Sequence, residues 1–252
     1  MRNVRLTLAY DGADFCGWQF QPQQRTVQAT LEAAIEQVTG AWSRVCASSR
    51  TDAGVHALGQ VVSFHTATRL DNDTLRRALN AVLPFDVSVK NVRDAAPDFH
   101  ATRDSVRKRY RYVMQDGRIR DPIGRRYAWF IPHELDVAAM QASTVHLLGE
   151  HDFAAYETTG SERQSTVRTV YDLTVERRQT DHGDRIMMEV EANGFLYNMV
   201  RNIAGTLMVV GRRKEPPAWL GEVLRSRDRR RAGMTAPPEA LFLLWVKYPG
   251  DE

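Results

Sequence analysis

Apolar and polar residues alternate over residues 2–10, with Val4, Leu6, Leu8 and Tyr10 on one side, the period of a half-buried strand. Over residues 26–39 the period becomes helical. Val27, Leu31, Ala34, Ile35 and Val38 share one face, Thr26 stands as N-cap and Gly40 as stop. Residues 44–48 and 60–66 read as strands. A second helix is predicted over residues 73–82, opened by Asp71, Asn72 and Asp73 and closed by Pro84, and residues 86–92 alternate again. The order β-α-β-β-α-β is that of the ferredoxin-like unit. The second half repeats it with strands at 106–114, 167–176, 185–192 and 241–248 and helices at 136–147, 193–211 and 216–224. The expectation is an α+β protein of two ferredoxin-like subdomains, residues 1–104 and 105–252, with antiparallel sheets joined side by side and an active-site cleft between them. No sequence repeat links the halves, so the duplication rests on element order alone.

Composition narrows the class. The 252 residues are 43% hydrophobic and 26% charged, a globular profile that excludes a disordered chain. Cys16 and Cys46 lie outside any CxxC or Cys/His cluster, which excludes a disulfide framework and argues against structural zinc. No run approaches the roughly 20 apolar residues that span a bilayer, and the first segment reads as a strand rather than a signal peptide. A soluble, cytoplasmic protein with no membrane association is expected. The net charge is only +3, but of 34 basic residues only Lys90, Lys108, Lys214 and Lys247 are lysine. The arginines cluster at 103–111, 118–126, 212–213 and 225–231. Planar guanidinium groups suit phosphate, so these stripes point to a polyanion along selected faces. Solvated surface charge is the competing reading.

Residues 48–60, Ser-Ser-Arg-Thr-Asp-Ala-Gly-Val-His-Ala-Leu-Gly-Gln, are the most unusual stretch. They place Arg50, Asp52 and His56 among small residues between two predicted strands, in a connection longer than strands require. Loops held by rigid flanks are where functional side chains concentrate. The plainer alternative is that Asp52 caps a turn and Gly54 supplies a positive φ. Elsewhere, His146, Glu150 and His151 lack HExxH spacing, and no Gly-rich phosphate loop is present. No metal and no nucleotide cofactor are indicated.

The run from Arg50 to His56, followed by Gly59-Gln60-Val61-Val62, resembles the signature loop of the tRNA pseudouridine synthase A family. Further blocks resemble that family in the same order. They are Tyr10-Asp11-Gly12 with Phe15, Gly17-Trp18-Gln19, Gln21, Thr26-Val27-Gln28 and Leu31-Glu32; Phe99-His100-Ala101 with Lys108 to Tyr112; Asn193-Gly194-Phe195 with Met199 to Ile203; and Ala236-Pro237-Pro238 with Leu241. The matches run through nearly the whole chain. Ala240 departs from the pattern, standing where the family usually has glycine, and alanine resists positive φ.

The resemblance implies isomerisation of uridine to pseudouridine at positions 38, 39 and 40 of the tRNA anticodon stem-loop, without cofactor, by a homodimer. It implies Asp52 as the catalytic residue. Cleavage at a ribose carbon needs a carboxylate as nucleophile or as partner to developing positive charge. Attack on the sugar, attack on the base and action as a base toward the sugar all remain open. A stem nucleotide must leave its stack before chemistry, and the resemblance gives Arg50 a part in that flipping. Tyr110 would pack against the extruded uracil, although it also reads as one face of an ordinary strand with Tyr112. Arg201 lies on an apolar helix and needs a partner; the resemblance names Asp52, and Glu189 or Glu191 are the alternatives. Leu241 would be an apolar wall of the pocket. Two other function classes compete: a non-catalytic RNA-binding protein using the same basic cleft, and a nucleoside hydrolase, which would release free uracil.

Overall fold

The computed structural model describes residues 1–158, 160 and 165–251. Its chain divides into two compact units, Met1–Val106 with Phe242–Glu252, and Arg107–Leu241.

The first unit follows the predicted order: β1 (Arg2–Tyr10), α1 (Val27–Thr39), β2 (Cys46–Ala47), β3 (His56–Thr66), α2 (Asn72–Val82) and β4 (Val87–Ala95). β1 lies between β3 and β4, antiparallel to both, and β2 pairs with the far end of β3. The side chains of Val4, Leu6 and Leu8 are fully buried, as their alternation required. Thr26 caps α1 by accepting from Ala29 N, and Gly40 ends it in a left-handed conformation (φ 76°). The apolar face of α1 also carries two buried polar residues. Gln28 donates to Glu32 at 2.9 Å, and Glu32 accepts from Val45 N at 3.1 Å, so these polar groups anchor the start of the β2 segment.

The second unit contains β5 (Arg107–Asp116), β6 (Trp129–Ile131), α3 (Val137–Ser143), β7 (Gly149–Asp152), β8 (Val167–Thr180), β9 (Gly183–Ala192), α4 (Met199–Gly211) and α5 (Trp219–Ser226). Its sheet runs β5-β9-β8-β7 in antiparallel pairs, with β6 parallel to the end of β5. The short strands β6 and β7 had no period long enough to read. The helix expected from residue 193 begins only at Met199. Asn193 instead exchanges hydrogen bonds with Thr169 of β8, and Asn198 takes a left-handed turn (φ 60°) before the helix.

β10 (Leu241–Lys247) closes the chain. The sequence reading placed this strand with the second half. From Phe242 onward it groups with the first unit, where Phe242 and Leu243 run parallel to His56 and Ala57 of β3. Beyond β10 a clamp fixes the chain to β1. Arg5 Nη2 donates to Asp251 Oδ2 at 2.6 Å, with its guanidinium 4.2 Å from the Tyr248 ring centroid, and the Tyr248 hydroxyl donates to Ala101 O.

Burial alone would raise the Asp251 carboxyl, but the Arg5 guanidinium outweighs it and holds the group below the ordinary carboxylate value. Such a group contributes stability above its unfolded-state value, about 4. That contribution is lost as the pH falls through the lowered folded-state value. Asp251→Ala is therefore expected to cost about 2–4 kcal/mol at pH 7, because it leaves a buried guanidinium without its anion. Denaturant unfolding at a series of pH values should show the gap from wild type closing below about pH 4. A gap unchanged down to pH 2 would assign the loss to packing instead.

Candidate active site

The segment read as a loop through Gln60 is shorter in the structure, because β3 already begins at His56. Residues 48–55 remain as the connection. A buried polar cluster lies under them. Ser48 Oγ donates to Gln60 Oε1 at 2.8 Å, while Gln60 Nε2 donates to Ser49 O at 2.7 Å and to the Tyr10 hydroxyl at 3.3 Å. That hydroxyl is 2.8 Å from Thr51 Oγ1. Gln60 is fully buried, so both ends of its amide must find partners, and the loop backbone supplies one. The cluster thus fixes residues 48–51 from below.

The other side of the connection is held by the segment after β1. Trp18 N donates to Thr51 O at 2.9 Å and Gly54 N to Phe15 O at 3.3 Å. Asp52 opens a turn in which Val55 N donates to Asp52 O at 3.1 Å, with Gly54 left-handed at φ 79°. Two glycines permit the close approach. Gly17 has φ 84° and a Cβ there would stand 2.8 Å from Thr51 O; one at Gly12 would overlap the Val55 carbonyl. Arg25 secures this segment through a bidentate pair with Asp86 (2.7 and 2.9 Å) and a position 4.0 Å from the Phe15 ring centroid. His56 is buried, stacked 4.7 Å from Phe242, and accepts from Gly12 N at Nδ1. Asp52 is half-buried on this doubly supported turn, and Arg50 is exposed two residues before it.

The second unit holds the other three expected residues. Tyr110 on β5 is buried, edge-on to Phe195 with centroids 5.1 Å apart. Its neighbour on the same face, Tyr112, is fully buried and donates to Pro237 O at 2.8 Å; burial, with a smaller push from Glu239, drives its phenol well above the ordinary range. Arg201 on α4 is half-buried, donating from Nε to Ala236 O and from Nη1 to Asn198 Oδ1, both at 2.7 Å. Leu241, 6% exposed, is the first residue of β10. Ala240 is fully buried but has no positive φ, so the absence of glycine there strains nothing.

The carboxylates considered as alternative partners of Arg201 have other roles. Glu189 accepts from Arg109 at 2.8 Å and from Arg111 at 2.6 Å; Glu191 accepts from Arg107 at 3.0 Å and Arg109 at 3.2 Å. Arg109 also reaches Asp172 at 2.6 Å. Burial opposes the charge on Glu189, but the two guanidinium groups outweigh it and lower its carboxyl. Arg107, Arg109 and Arg111 share one face of β5 and form a cross-strand ion-pair ladder. Each of these three arginines is thus paired with a carboxylate within the protein. The run at 225–231 is mixed too, since Arg230 pairs with Asp228 and Arg227 with Asp152.

A family model described as tRNA pseudouridine synthase matches residues 7–102 and 144–249. The chain belongs to that family. It is 45% identical over 248 residues to the tRNA pseudouridine synthase A of Thermoanaerobacter sp. (strain X514), covering 98% of this chain and 100% of the relative. The protein of that name from Chloroflexus aurantiacus (strain ATCC 29366 / DSM 635 / J-10-fl) is 46% identical over 249 residues, 99% of this chain and 90% of the relative. That from Caldicellulosiruptor bescii is 41% identical over 248 residues, 98% and 100%. Within this tRNA pseudouridine synthase family member, Arg50, Asp52, Arg201 and Leu241 lie inside the matched spans, and Tyr110 lies between them. Among the described residues no helix is long and apolar enough to cross a membrane, and no group of three or more His, Cys, Asp or Glu is placed to hold a metal ion.

Tyr10, Gly12, Gly17 and Gln60 support the turn, a role that their motifs alone do not reveal. Gln60 carried a weak signal, a polar residue directly before the apolar pair Val61-Val62. Arg25 carried none, because its partner Asp86 is 61 residues away.

Proposed function

We propose that this isomerase of the pseudouridine synthase class acts on tRNA, converting uridine to pseudouridine at positions 38, 39 and 40 of the anticodon stem-loop with Asp52 as its catalytic carboxylate. The observation that carries the reading is the half-buried Asp52 on a turn clamped between a buried polar cluster and the backbone of residues 12–18. Catalysis at a sugar–base bond requires a carboxylate held in one place, and this turn is held from two sides. The N1–C1′ bond breaks, the uracil rotates, C5 bonds to C1′, the C5 proton leaves and N1 takes one up. Nothing is gained or lost overall, so the reaction calls for no cofactor.

The remaining roles follow from chemistry. Arg50, exposed beside Asp52, suits the phosphates of a nucleotide being turned out of its stack. Tyr110 offers a ring to the extruded base, Arg201 a cation and Leu241 an apolar contact. The relatives named tRNA pseudouridine synthase A support the tRNA substrate, and the resemblance to their family supports a homodimer working in the cytoplasm.

Pseudouridine mapping of unmodified tRNA after incubation with the purified protein tests the proposal. New pseudouridine at positions 38, 39 or 40 with no free uracil is the expected result. Modification confined to another arm would refute the site, and release of uracil would make the protein a hydrolase.

A further inference from the structure

One arginine of the 225–231 run differs from the rest. Arg229 is half-buried, and among the described residues its guanidinium donates to neutral groups alone: Gly233 O at 2.8 Å, and Asn202 Oδ1 and Thr235 Oγ1 each at 2.9 Å. Burial lowers the pKa of this cation from its usual value. A solvent-facing phosphate ligand would not be turned inward onto an amide, a hydroxyl and a carbonyl, and a purely stabilising arginine would be expected beside a carboxylate.

These partners lead to Arg201. Asn202 is fully buried and follows Arg201 on α4; its Nδ2 donates to Tyr156 O at 2.7 Å and to Thr158 Oγ1 at 3.3 Å. Thr158 Oγ1 also accepts from Asn198 Nδ2 at 3.2 Å, and Asn198 Oδ1 accepts from Arg201 Nη1 at 2.7 Å. On the other side, Arg229 holds Gly233 and Thr235, and the next residue, Ala236, accepts from Arg201 Nε at 2.7 Å and returns its N–H to Arg201 O at 3.2 Å. Gly233 N donates to Thr206 Oγ1 at 3.0 Å, and a Cβ at Gly205 would overlap the Met234 carbonyl, so this segment lies directly on α4. The hydrogen bonds from Arg201 Nε and Nη1 to Ala236 O and Asn198 Oδ1 therefore end on a frame with Arg229 at its centre.

We propose that Arg229 is a positioning residue for the isomerisation, acting through Asn202 and the 233–236 segment to aim the Arg201 guanidinium. The inference rests on the reading of Arg201 as a substrate-binding group. Without Arg229 the Asn202 and Thr235 acceptors lose their common donor and the 233–236 segment loses one of its restraints, leaving the Thr235 hydroxyl on Asn202 Oδ1 at 2.7 Å and the direct Ala236–Arg201 pair to hold it with more freedom.

The test is a double-mutant cycle read by single-turnover isomerisation of tRNA with enzyme in excess. Arg229→Met is expected to slow the step about 10- to 100-fold, the penalty of misplacing a group by around an ångström, with tRNA affinity changed less than about 2-fold. In an Arg201→Ala background the same substitution should have no further effect. If Arg229→Met destabilises the protein at the assay temperature, Arg229→Lys carries the cycle, with a smaller loss that again vanishes beside Arg201→Ala. Equal losses in both backgrounds would overturn the proposal, as would a loss confined to affinity. An Arg201→Ala enzyme of wild-type rate would refute the role of Arg201 itself. The NMR signal of the Arg201 Nε–H reports geometry independently of activity: slow exchange with solvent should be lost in Arg229→Met, and its retention would refute the positioning.

Discussion

Asp52→Asn is expected to reduce isomerisation by about 10⁴-fold or more, the scale on which enzymes lose rate when the group that reacts is removed. That corresponds to roughly 5–6 kcal/mol of barrier. Asparagine matches aspartate in size but has no charge and no nucleophilic oxygen pair. It fails equally if the carboxylate attacks the sugar, attacks the base or removes a proton. Two of the bonds that shape the turn, Val55 N on Asp52 O and Trp18 N on Thr51 O, use backbone atoms, and the substitution leaves them in place. Stability should change by less than about 1 kcal/mol. Tritium release from tRNA labelled at uracil C5 is the measurement. A variant releasing tritium near the wild-type rate would show that Asp52 is not at the chemical step, and retained tRNA binding without any release from wild type would favour a pure RNA binder.

The elements that were legible in the sequence are those whose signals are local. Thr26, the apolar face of α1 and Gly40 stand within one helix length, and the cap and the left-handed stop both form where they are written. The alternation of Val4, Leu6 and Leu8 gave β1 its buried face. Alternation fixes a strand's face but not its partner, which is why β10 was assigned to the wrong side of the boundary: Phe242 meets His56 nearly two hundred positions earlier in the chain. Asn193 and Asn198 are compatible with a helical register, so the sequence places the start of α4 too early, and only the hydrogen bonds of Asn193 to Thr169 show that it continues the strand edge.

Charge was the least legible property. Arg107, Arg109 and Arg111 are spaced two apart, and so are Glu189 and Glu191, but the two sets meet only through the antiparallel register of β5 and β9. A run of arginines says nothing about which member turns inward, and Arg229 is distinguished from Arg230 only by its neighbours. The Asp52 motif was conspicuous from its small residues and mixed charges. Its support was not, because Gly12, Gly17 and Gln60 act through backbone approach and a buried amide.

That support yields the second large effect. Gly12→Ala should lower the rate constant of isomerisation about 10- to 100-fold and destabilise the protein by about 1–3 kcal/mol through overpacking. Gly12 has no positive φ, so alanine's own backbone preferences are not the obstacle; space is, since the new methyl group would overlap the Val55 carbonyl. Val55 closes the turn that Asp52 opens, and Gly12 N also donates to His56 Nδ1 at the start of β3. Making room therefore moves either the turn or the segment laid against it, by a distance comparable with the tolerance of a reacting group. Gly40→Ala is the control. Gly40 is left-handed (φ 76°) with nothing within 4 Å of a Cβ, so the change should cost about 1 kcal/mol of stability and leave the rate unaltered. Thermal unfolding and single-turnover kinetics on both variants separate the two effects. If Gly12→Ala retained the wild-type rate despite its lower stability, Asp52 would be held by something other than the close passage of these two backbones.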